Sequence, residues 1–267
     1  MQQTVLITGG SKGIGLSTGM FLVEKGYRVF GTSRNPDAIK DHPFELLPLD
    51  VTISESINTC ITLLKTKTER LDILINNAGA GITGPVEEIP ELEMKRNFET
   101  NFFGPVAMIR AVLPFMRQNG SGLIINVTSI AGYMGLPFRG IYSASKGALE
   151  LVTEAISMEV KSFGINVVNL APGDVATDIA SGRYHSPLEK DSPYYDTYGK
   201  SLDLMDNHVH SGKEPLVIAQ ALHKIIKSGQ PKIHNKEGEL LQKFSIVLKR
   251  ILPDRWYEKM LMNHYKL

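Results

Sequence analysis

The sequence predicts a single α/β domain in which a doubly wound parallel sheet of about seven strands is covered by helices on both faces. Two observations lead to this fold class. Strand-like and helix-like segments alternate along most of the 267 residues, and several strand-like runs are apolar on both faces. Strands that are buried on both sides need helices above and below the sheet, and right-handed crossovers between them produce a doubly wound arrangement. No repeat or linker divides the chain, so we expect residues 1–267 to form one domain.

The individual elements follow from hydrophobic spacing and from the turn residues that bound it. The predicted strands are Val5–Ile7, Tyr27–Thr32, Phe44–Leu49, Leu71–Asn76, Gly122–Val127 and Ile165–Leu170, with Lys232–His234 as a candidate for the final strand. Apolar residues at intervals of three and four, such as Leu16, Met20 and Val23, indicate helices between these strands. The predicted helices are Ile14–Lys25, Ile53–Glu69, Glu87–Met116 with an interruption near Pro105, Tyr142–Phe163 and Leu216–Lys227.

Two segments in the last third of the chain depart from this alternation. Residues 174–212 are rich in Tyr, Ser, Pro and Asp and show little periodicity, which is typical of a functional lid or of disorder. We assign them as a substrate lid, the lid segment, whose aromatic residues would line an apolar pocket. The alternative is a solvent-facing loop. The aromatic and apolar candidates are Tyr184, His185, Tyr194, Tyr195, Tyr198 and Met205.

Residues 239–267 form a second distinct segment, predicted to be a helical tail because apolar and basic residues mix at helical spacing. A helix of this kind would be able to lie on a membrane surface. We expect instead that it packs on its own domain or on a neighbouring subunit. The apolar positions are Phe244, Val247, Leu248 and Ile251, with Lys243, Lys249, Arg250 and Arg255 around them.

Composition argues against several classes of protein. Lys and Arg total 29 against 28 Asp and Glu, so nothing indicates a nucleic-acid partner. Cys60 is the single cysteine, which fits a reducing compartment. The first strand begins almost at once and leaves no room for a signal peptide, and no apolar run approaches the roughly 20 residues that span a bilayer. We therefore expect a cytoplasmic protein. We also expect no metal site, because His208 and His210 have no cysteine or clustered acid at ligand spacing.

A glycine-rich turn, TGGSKGIG at Thr8–Gly15, joins the first strand to the first helix. Gly9, Gly13 and Gly15 lack a Cβ atom, so the backbone is able to turn tightly and to approach a pyrophosphate. The free N–H groups and the positive dipole end of the following helix favour an anion. Many glycine-rich turns bind nothing, so a purely structural turn is the alternative. The strand–turn–helix context favours dinucleotide binding.

The end of the second strand indicates which dinucleotide would bind. An NAD site usually places an acidic residue about 20 residues beyond the glycines. Ser33 and Arg34 stand there instead, and the nearest acid, Asp37, lies beyond a proline. Arg34 is suited to a 2′-phosphate, and Lys12 would add a second positive charge. We therefore expect NADP(H), the alternative being that both residues are ordinary surface cations.

Three residues further along the chain indicate acid–base chemistry. Tyr142 and Lys146 are four residues apart in a predicted helix and therefore share one face. An ammonium beside a phenol favours the phenolate. Ser129, at the end of a neighbouring strand, would polarise a substrate carbonyl while Tyr142 supplies the proton as hydride reaches carbon. The Tyr-x-x-x-Lys spacing also occurs by chance, so a plain amphipathic pair is the alternative.

Together these motifs resemble those of the short-chain dehydrogenase/reductase family, from Thr4 to roughly Thr177. The resemblance implies that Ser129, Tyr142 and Lys146 are catalytic, and that Asn101 in NFFGP helps to hold a proton-relay water. It also implies that Asp50 contacts the adenine ring and that the segment after Pro172 lines the nicotinamide. The implied cofactor-binding residues are Gly9, Ser11, Lys12, Gly13, Ile14, Gly15, Ser33, Arg34, Asp50, Val51, Asn77, Ala78, Gly79, Tyr142, Lys146, Pro172, Gly173, Val175 and Thr177.

The same resemblance implies a function and an assembly. Members of the family transfer hydride between a nicotinamide and a carbonyl or alcohol on a Rossmann fold, usually as homodimers or homotetramers. The GTSRNP strand end and the basic tail are similar to the branch that includes hydroxysteroid and retinol dehydrogenases. Two alternatives stay open, namely a non-catalytic dinucleotide sensor on the same fold, and a reductase of an imine or an activated C=C bond.

Overall fold

The computed structural model describes residues 2–176, 182–210 and 212–267. Its strands are β1 (Thr4–Ile7), β2 (Arg28–Ser33), β3 (Glu45–Pro48), β4 (Ile73–Asn76), β5 (Ile82–Thr83), β6 (Gly122–Val127), β7 (Ile165–Pro172), β8 (Tyr184–His185) and β9 (His234–Glu237). Its α-helices are α1 (Gly13–Glu24), α2 (Ser54–Lys67), α3 (Glu91–Phe98), α4 (Gly104–Gln118), α5 (Gly140–Glu159), α6 (Tyr195–His210), α7 (Pro215–Lys227), α8 (Leu240–Ile251) and α9 (Asp254–Tyr265).

Seven strands form one parallel sheet in the order β3-β2-β1-β4-β6-β7-β9, and β5 and β8 form a separate parallel pair. The chain builds outward from β1 to β3 and then returns to add β4 on the other side of β1. This reversal is the topological switch point, and it opens a crevice at the carboxyl ends of β1 and β4. The predicted seven-stranded, doubly wound parallel sheet is confirmed.

The core lies on both faces of this sheet, because successive side chains of a strand point to opposite sides. Leu6 and Leu74 face a cluster built with α2 and α4. Their strand neighbours Val5 and Ile73 face a second cluster built with α1 and α7. These alternating residues are fully or almost fully buried, so the helices cover both faces as the sequence predicts.

The predicted helical region Glu87–Met116 is interrupted just before the proline that suggested a break. A π-helical segment, Glu99–Phe103, separates α3 from α4, which begins at Gly104. The final strand also differs from its prediction: it runs from His234 to Glu237 rather than from residue 232 to 234. Its register is set by pairing with β7, where His234 lies opposite Asn169. The polar sequence HNKE carries no apolar signal that would have located this strand.

The lid segment contains more regular structure than its composition indicates, because α6 and β8 both lie within it. Helix α6 buries Tyr198, Ser201 and Met205 on one face. The Tyr198 hydroxyl lies 3.2 Å from Thr83 Oγ1, and Ser201 donates to the Tyr265 carbonyl at 3.2 Å. Polar groups on the inward face hid this helical spacing, so the interpretation of residues 195–210 as aperiodic is wrong.

The tail forms α8 and α9, which pack on the domain through Ile246, Tyr257 and Tyr265. The apolar stripe that was expected to pack there is mostly exposed. Phe244, Val247 and Ile251 face away from their own domain, and Leu248 alone of the four contacts the cluster beneath the helix. In the parts of the chain described above, no helix combines the length and apolarity needed to cross a bilayer.

Candidate active site

A cavity of about 910 Å³ opens at the carboxyl ends of the central strands. It gathers the loops that follow β1, β2, β4, β6 and β7, as expected for a ligand site at a topological switch point. Most of the predicted site residues line it, namely Gly9, Ser11, Lys12, Gly13, Ile14, Ser33, Arg34, Asp50, Val51, Asn77, Ala78, Gly79, Ser129, Tyr142, Lys146, Pro172, Gly173 and Val175. Gly15 and Asn101 are not on its wall, and Thr177 lies outside the described residues.

The glycine turn has the backbone that a pyrophosphate site requires. Gly9 and Gly13 have φ angles of +66° and +56°, in the left-handed region that favours glycine. Gly15 packs against the turn and not on the cavity wall, and a Cβ there would lie 2.2 Å from the Gly9 carbonyl oxygen, so this position needs glycine. Helix α1 begins at Gly13, and no side chain among the described residues caps its first turn. Its free N–H groups therefore fit the phosphates of a dinucleotide.

Two threonines that the sequence interpretation missed hold this turn in place. Thr8 Oγ1 accepts hydrogen bonds from the backbone N–H groups of Asn77 and Ala78, both at 3.0 Å. Asn77 Nδ2 donates in return to the carbonyls of Thr8 and Gly9, at 3.0 and 3.1 Å. Thr32 Oγ1 accepts from Gly9 N at 3.1 Å. These hydrogen bonds join the loops after β1, β2 and β4. The signal in the sequence that would have identified the two residues is a threonine at the end of each of two adjacent strands.

The outer end of the cavity is cationic. Lys12 and Arg34 both line it and are both exposed, and no ion pair within the described ranges engages either one. Asp50 also lines the cavity, and its Oδ1 accepts from Thr52 N at 2.9 Å and from Thr52 Oγ1 at 2.7 Å. These contacts fix the loop after β3 beside the site.

Tyr142 and Lys146 lie on the same wall of the cavity, one turn apart on α5. Lys146 is only 5% exposed, and its Nζ donates to the Val127 carbonyl at 3.0 Å. Burial lowers the pKa of Lys146, and the charges of Tyr142 and Glu150 oppose that shift. The guanidinium carbon of Arg139, a residue not identified from the sequence, lies 5.3 Å from the centroid of the Tyr142 ring.

Ser129 completes the group that lines the inner end of the cavity. It follows β6 directly and caps a short 3₁₀ turn at Ile130–Tyr133, where its Oγ accepts from Ala131 N at 3.1 Å. Because this contact uses the oxygen as an acceptor, the hydroxyl hydrogen is available to donate towards the cavity.

Asn101 lies behind the cavity wall in the π-helical segment and is completely buried. Its Oδ1 accepts from Ala80 N at 2.9 Å, and its Nδ2 donates to the Ala80 carbonyl at 2.9 Å and to Ser145 Oγ at 3.1 Å. A Cβ built on Gly79 would touch both Asn101 Oδ1 and Lys146 Nζ, so only that glycine separates the two side chains. Asn101 holds the loop after β4 against α5, and its role towards a water stays a prediction.

A buried carboxylate network that the sequence did not reveal lies one turn beyond Lys146. Glu150 accepts hydrogen bonds from Tyr133 Oη at 2.7 Å, from Asn169 Nδ2 at 2.9 Å, and from Thr128 Oγ1. His234 Nδ1 lies 2.8 Å from the same carboxylate. Burial and the adjacent Glu150 raise the pKa of Tyr133, so that phenol stays protonated and donates. Glu150 thereby connects α5 with β7, with β9 and with the segment that follows β6.

Two expectations concern the surroundings of the site. Where the structure describes the lid segment, Asp174, Val175, Gly182 and Arg183 contribute to the cavity wall, and its aromatic residues do not. Tyr198 and Met205 lie instead on the inward face of α6, where they are buried and anchor that helix to the domain. Among the residues described, no three His, Cys, Asp or Glu side chains come together as a metal site would require.

Comparison with known proteins agrees with this geometry. The family described as short chain dehydrogenase matches residues 3–187. The chain is 39% identical over 266 residues to 3-ketodihydrosphingosine reductase of Bacteroides thetaiotaomicron, covering 99% of this chain and 98% of the relative. It is 31% identical over 254 residues to human (Homo sapiens) retinol dehydrogenase 8, covering 88% of this chain and 81% of that protein.

Solved structures show the same architecture. A short-chain dehydrogenase from Streptomyces avermitilis superposes with a TM-score of 0.81 at 29% identity, covering 97% of each chain. ElxO with NADP bound superposes with a TM-score of 0.71 at 26% identity, covering 89% of this chain and 97% of that one. One explanation accounts for the cavity at the switch point, for the glycine turn and for the match of the family to residues 3–187. This chain belongs to the short-chain dehydrogenase/reductase family, whose members are nicotinamide-dependent oxidoreductases.

Proposed function

We propose that this protein is an NADP(H)-dependent oxidoreductase that interconverts a ketone and a secondary alcohol, with Tyr142 as the general acid and base. The observation that carries the proposal is the presence of Ser129, Tyr142 and Lys146 in the same cavity as the glycine turn. A dinucleotide sensor would need the turn alone. The reactive groups would be superfluous in such a sensor, which favours the enzyme.

Each of the three side chains has a distinct task in the reductive direction. The bound dinucleotide supplies the hydride. Ser129 donates its hydroxyl hydrogen to the carbonyl oxygen and so orients and polarises the substrate. Tyr142 donates its phenolic proton to the same oxygen as the alcohol forms. The oxidative direction uses the same groups in reverse.

Lys146 would stabilise the phenolate that Tyr142 leaves behind. Its ammonium is held in the wall by a hydrogen bond to the Val127 carbonyl. Burial lowers the pKa of Lys146, which makes its ammonium a stronger proton donor for restoring the phenol. The Arg139 guanidinium over the Tyr142 ring adds positive charge on another side of that phenol.

The choice of NADP(H) over NAD(H) rests on the cationic end of the cavity. Arg34 stands at the end of β2, where an NAD site would have its acidic residue, and Lys12 lies in the adjacent glycine turn. Both cations are exposed and would gain a phosphate partner. The similar structure of ElxO binds NADP, which supports the same assignment.

The first candidate substrate is 3-ketodihydrosphingosine, because the reductase named for it matches nearly the full length of both chains. The test is a panel assay that follows NADPH absorbance with 3-ketodihydrosphingosine, steroids, retinoids, sugars, small ketones, an imine and an activated alkene. We expect NADPH-dependent turnover with a ketone. Turnover of the imine or alkene alone would replace the reaction type, and tight NADPH binding with no turnover of any substrate would favour the sensor.

A further inference from the structure

Helix α8 is amphipathic, but its apolar stripe faces outward, whereas an ordinary surface helix turns its apolar face towards the core. Its outward face carries Leu240, Phe244, Val247 and Ile251, at positions i, i+4, i+7 and i+11, and these side chains are 82%, 53%, 47% and 67% exposed. Its inward face packs through Ile246 and uses polar contacts, such as the Ser245 hydroxyl beside Met134 Sδ. A helix that turns its apolar stripe away from its own core needs an apolar partner outside the domain.

The charges beside this outward stripe indicate what that partner is. Lys243 and Arg250 are seven residues apart and flank the stripe along one side, and α8 contains no Asp or Glu. Trp256, 71% exposed, follows at the start of α9. Apolar and aromatic residues bordered by cations are the pattern of helices that lie in the headgroup region of a bilayer. A second copy of the chain packed stripe to stripe would add further cations beside the stripe, and α8 has no carboxylate to offset them.

We propose that α8 docks this protein on the surface of an anionic lipid bilayer. The stripe Leu240, Phe244, Val247 and Ile251 enters the boundary between headgroups and acyl chains, and Lys243 and Arg250 contact anionic headgroups.

Docking in this orientation would also place the cavity close to the membrane. On the inward side of α8, Gln242 Nε2 donates to Asp174 Oδ2 at 2.7 Å, and Asp174 lines the cavity. The apolar stripe and the cavity rim are thus on opposite sides of one helix, about 10 Å apart. We infer that the substrate class is a long-chain ketone that partitions into the bilayer. This second step rests on the proposed function, whereas the docking does not.

Vesicle binding tests the docking directly. The chain has one tryptophan, so the emission of Trp256 reports contact between this region and lipid without a label. We expect a blue shift, and co-sedimentation, with vesicles of phosphatidylcholine and phosphatidylglycerol, and much weaker binding to phosphatidylcholine alone. The variant Phe244→Ser/Ile251→Ser should lower the partition coefficient at least about tenfold, because it removes two apolar side chains from the buried face. Lys243→Gln/Arg250→Gln should lower it by about thirtyfold on anionic vesicles only.

A matched control replaces apolar residues of similar exposure elsewhere. Val86 and Leu92 are 55% and 57% exposed, so Val86→Ser/Leu92→Ser should bind vesicles like the unaltered protein. Absence of binding to anionic vesicles overturns the proposal, and so does binding that the Phe244/Ile251 variant does not weaken. Another result would also overturn it: the unaltered protein forms concentration-dependent dimers, the Phe244→Ser/Ile251→Ser variant stays monomeric, and neither binds vesicles. The stripe would then be an interface between copies of the chain.

Kinetics separate the docking from the proposed activity. For a long-chain ketone presented in anionic vesicles, Phe244→Ser/Ile251→Ser should raise KM at least about tenfold while kcat stays unchanged, because delivery and not chemistry is lost. For a small water-soluble ketone, both parameters should be unchanged. An equal effect on both substrates would contradict delivery from the bilayer. If no ketone is turned over at all, the proposed function fails while the vesicle assay still decides the docking.

Discussion

Lys146 places an ammonium group in a position that solvent hardly reaches, where a charge is costly unless neighbouring groups compensate for it. The Val127 carbonyl accepts one of its hydrogen bonds, and Tyr142 and Glu150 are the charges that favour its protonated form. A lysine in these surroundings is not a solvated surface cation. Its contacts fix it in the cavity wall that Tyr142 also lines, which is the arrangement that the proposed acid–base role of Tyr142 requires.

The substitution Tyr142→Phe tests this role at the scale of a single atom. Removal of the hydroxyl should lower kcat by about 10²- to 10⁴-fold, the usual contribution of a positioned acid or base. The Kd for NADPH, measured by fluorescence titration, should change little because the ring remains. Tyr194→Phe is the matched control, since Tyr194 binds Glu87 and lies off the cavity wall. Near-normal turnover by Tyr142→Phe would refute the assignment.

Arg34 determines cofactor preference if it contacts a 2′-phosphate. Arg34→Ala should weaken NADPH binding by about 10- to 100-fold, the range for loss of a charge-assisted hydrogen bond, and should leave NADH binding nearly unchanged. Isothermal titration with both dinucleotides measures the difference. Lys40→Ala, which removes an exposed cation that does not line the cavity, serves as the control. Equal weakening of both dinucleotides would argue against the phosphate contact.

At the scale of elements, Glu150 connects α5, which carries Tyr142 and Lys146, with the edge strand of the sheet. Its carboxylate joins α5 to donors on β7 and β9 and to Thr128 and Tyr133 in the segment after β6. Beyond it, His234 Nε2 lies 3.0 Å from Glu154 Oε1. This network fixes α5 against β9, the edge strand that leads directly into α8. The positions of Tyr142 and Lys146 on α5 therefore depend on contacts that the proposed reaction does not use.

Glu150→Ala should lower the free energy of unfolding by about 3 kcal/mol, because several buried donors lose their acceptor together. Urea denaturation followed by circular dichroism measures the change. Glu154→Ala is the matched control, since Glu154 is partly exposed and contacts the outer nitrogen of His234. A surface pair of that kind should contribute less than about 1 kcal/mol. Equal stability of the two variants would show that the Glu150 network is not the connection described.

At the scale of the whole molecule, Cys60 reports how firmly the sheet and its helices hold together. It is fully buried on α2 within the cluster that covers one face of the sheet. Burial raises the pKa of its thiol from 9.0 to about 12. Only the thiolate reacts readily with alkylating agents, so reaction at neutral pH should require opening of the domain.

Labelling of Cys60 with iodoacetamide at pH 8 should therefore be slow in the native protein and fast in urea, as mass spectrometry will show. The raised pKa also has a consequence for stability. Above the ordinary thiol pKa the unfolded chain ionises while the folded protein does not, so the free energy of unfolding should fall from about pH 9 up to about pH 12. Rapid native labelling at pH 8 would contradict both expectations.

The sequence predicted much of the site because the necessary signals are local. The glycine turn, the Tyr142–Lys146 spacing and Ser129 at a strand end each depend on a few consecutive residues. Parallel strands end at one edge of the sheet, so these segments had to meet there. Asn101 was assigned through resemblance, and the structure places it one layer behind the wall because its amide groups hold Ala80 and Ser145.

Other features could not be predicted, because they join distant parts of the chain. Glu150 and His234 are in contact although they are 84 positions apart in the sequence, and Thr83 and Tyr198 although they are 115 apart. The polar inward face of α6 concealed its helical period, and the direction in which the stripe of α8 points is independent of its spacing. Helical periodicity fixes which residues share a face, but not whether that face meets the core or the exterior.

Local backbone geometry made three features predictable from a few consecutive residues each: the alternation of the sheet strands with the helices between them, the glycine turn, and the shared face of Tyr142 and Lys146. Only the tertiary structure decided which buried donors surround Glu150, that α6 packs on the domain, and that the apolar stripe of α8 faces outward. Such choices depend on how the crossovers bring remote elements together, and the free energy of that packing is spread over the whole chain.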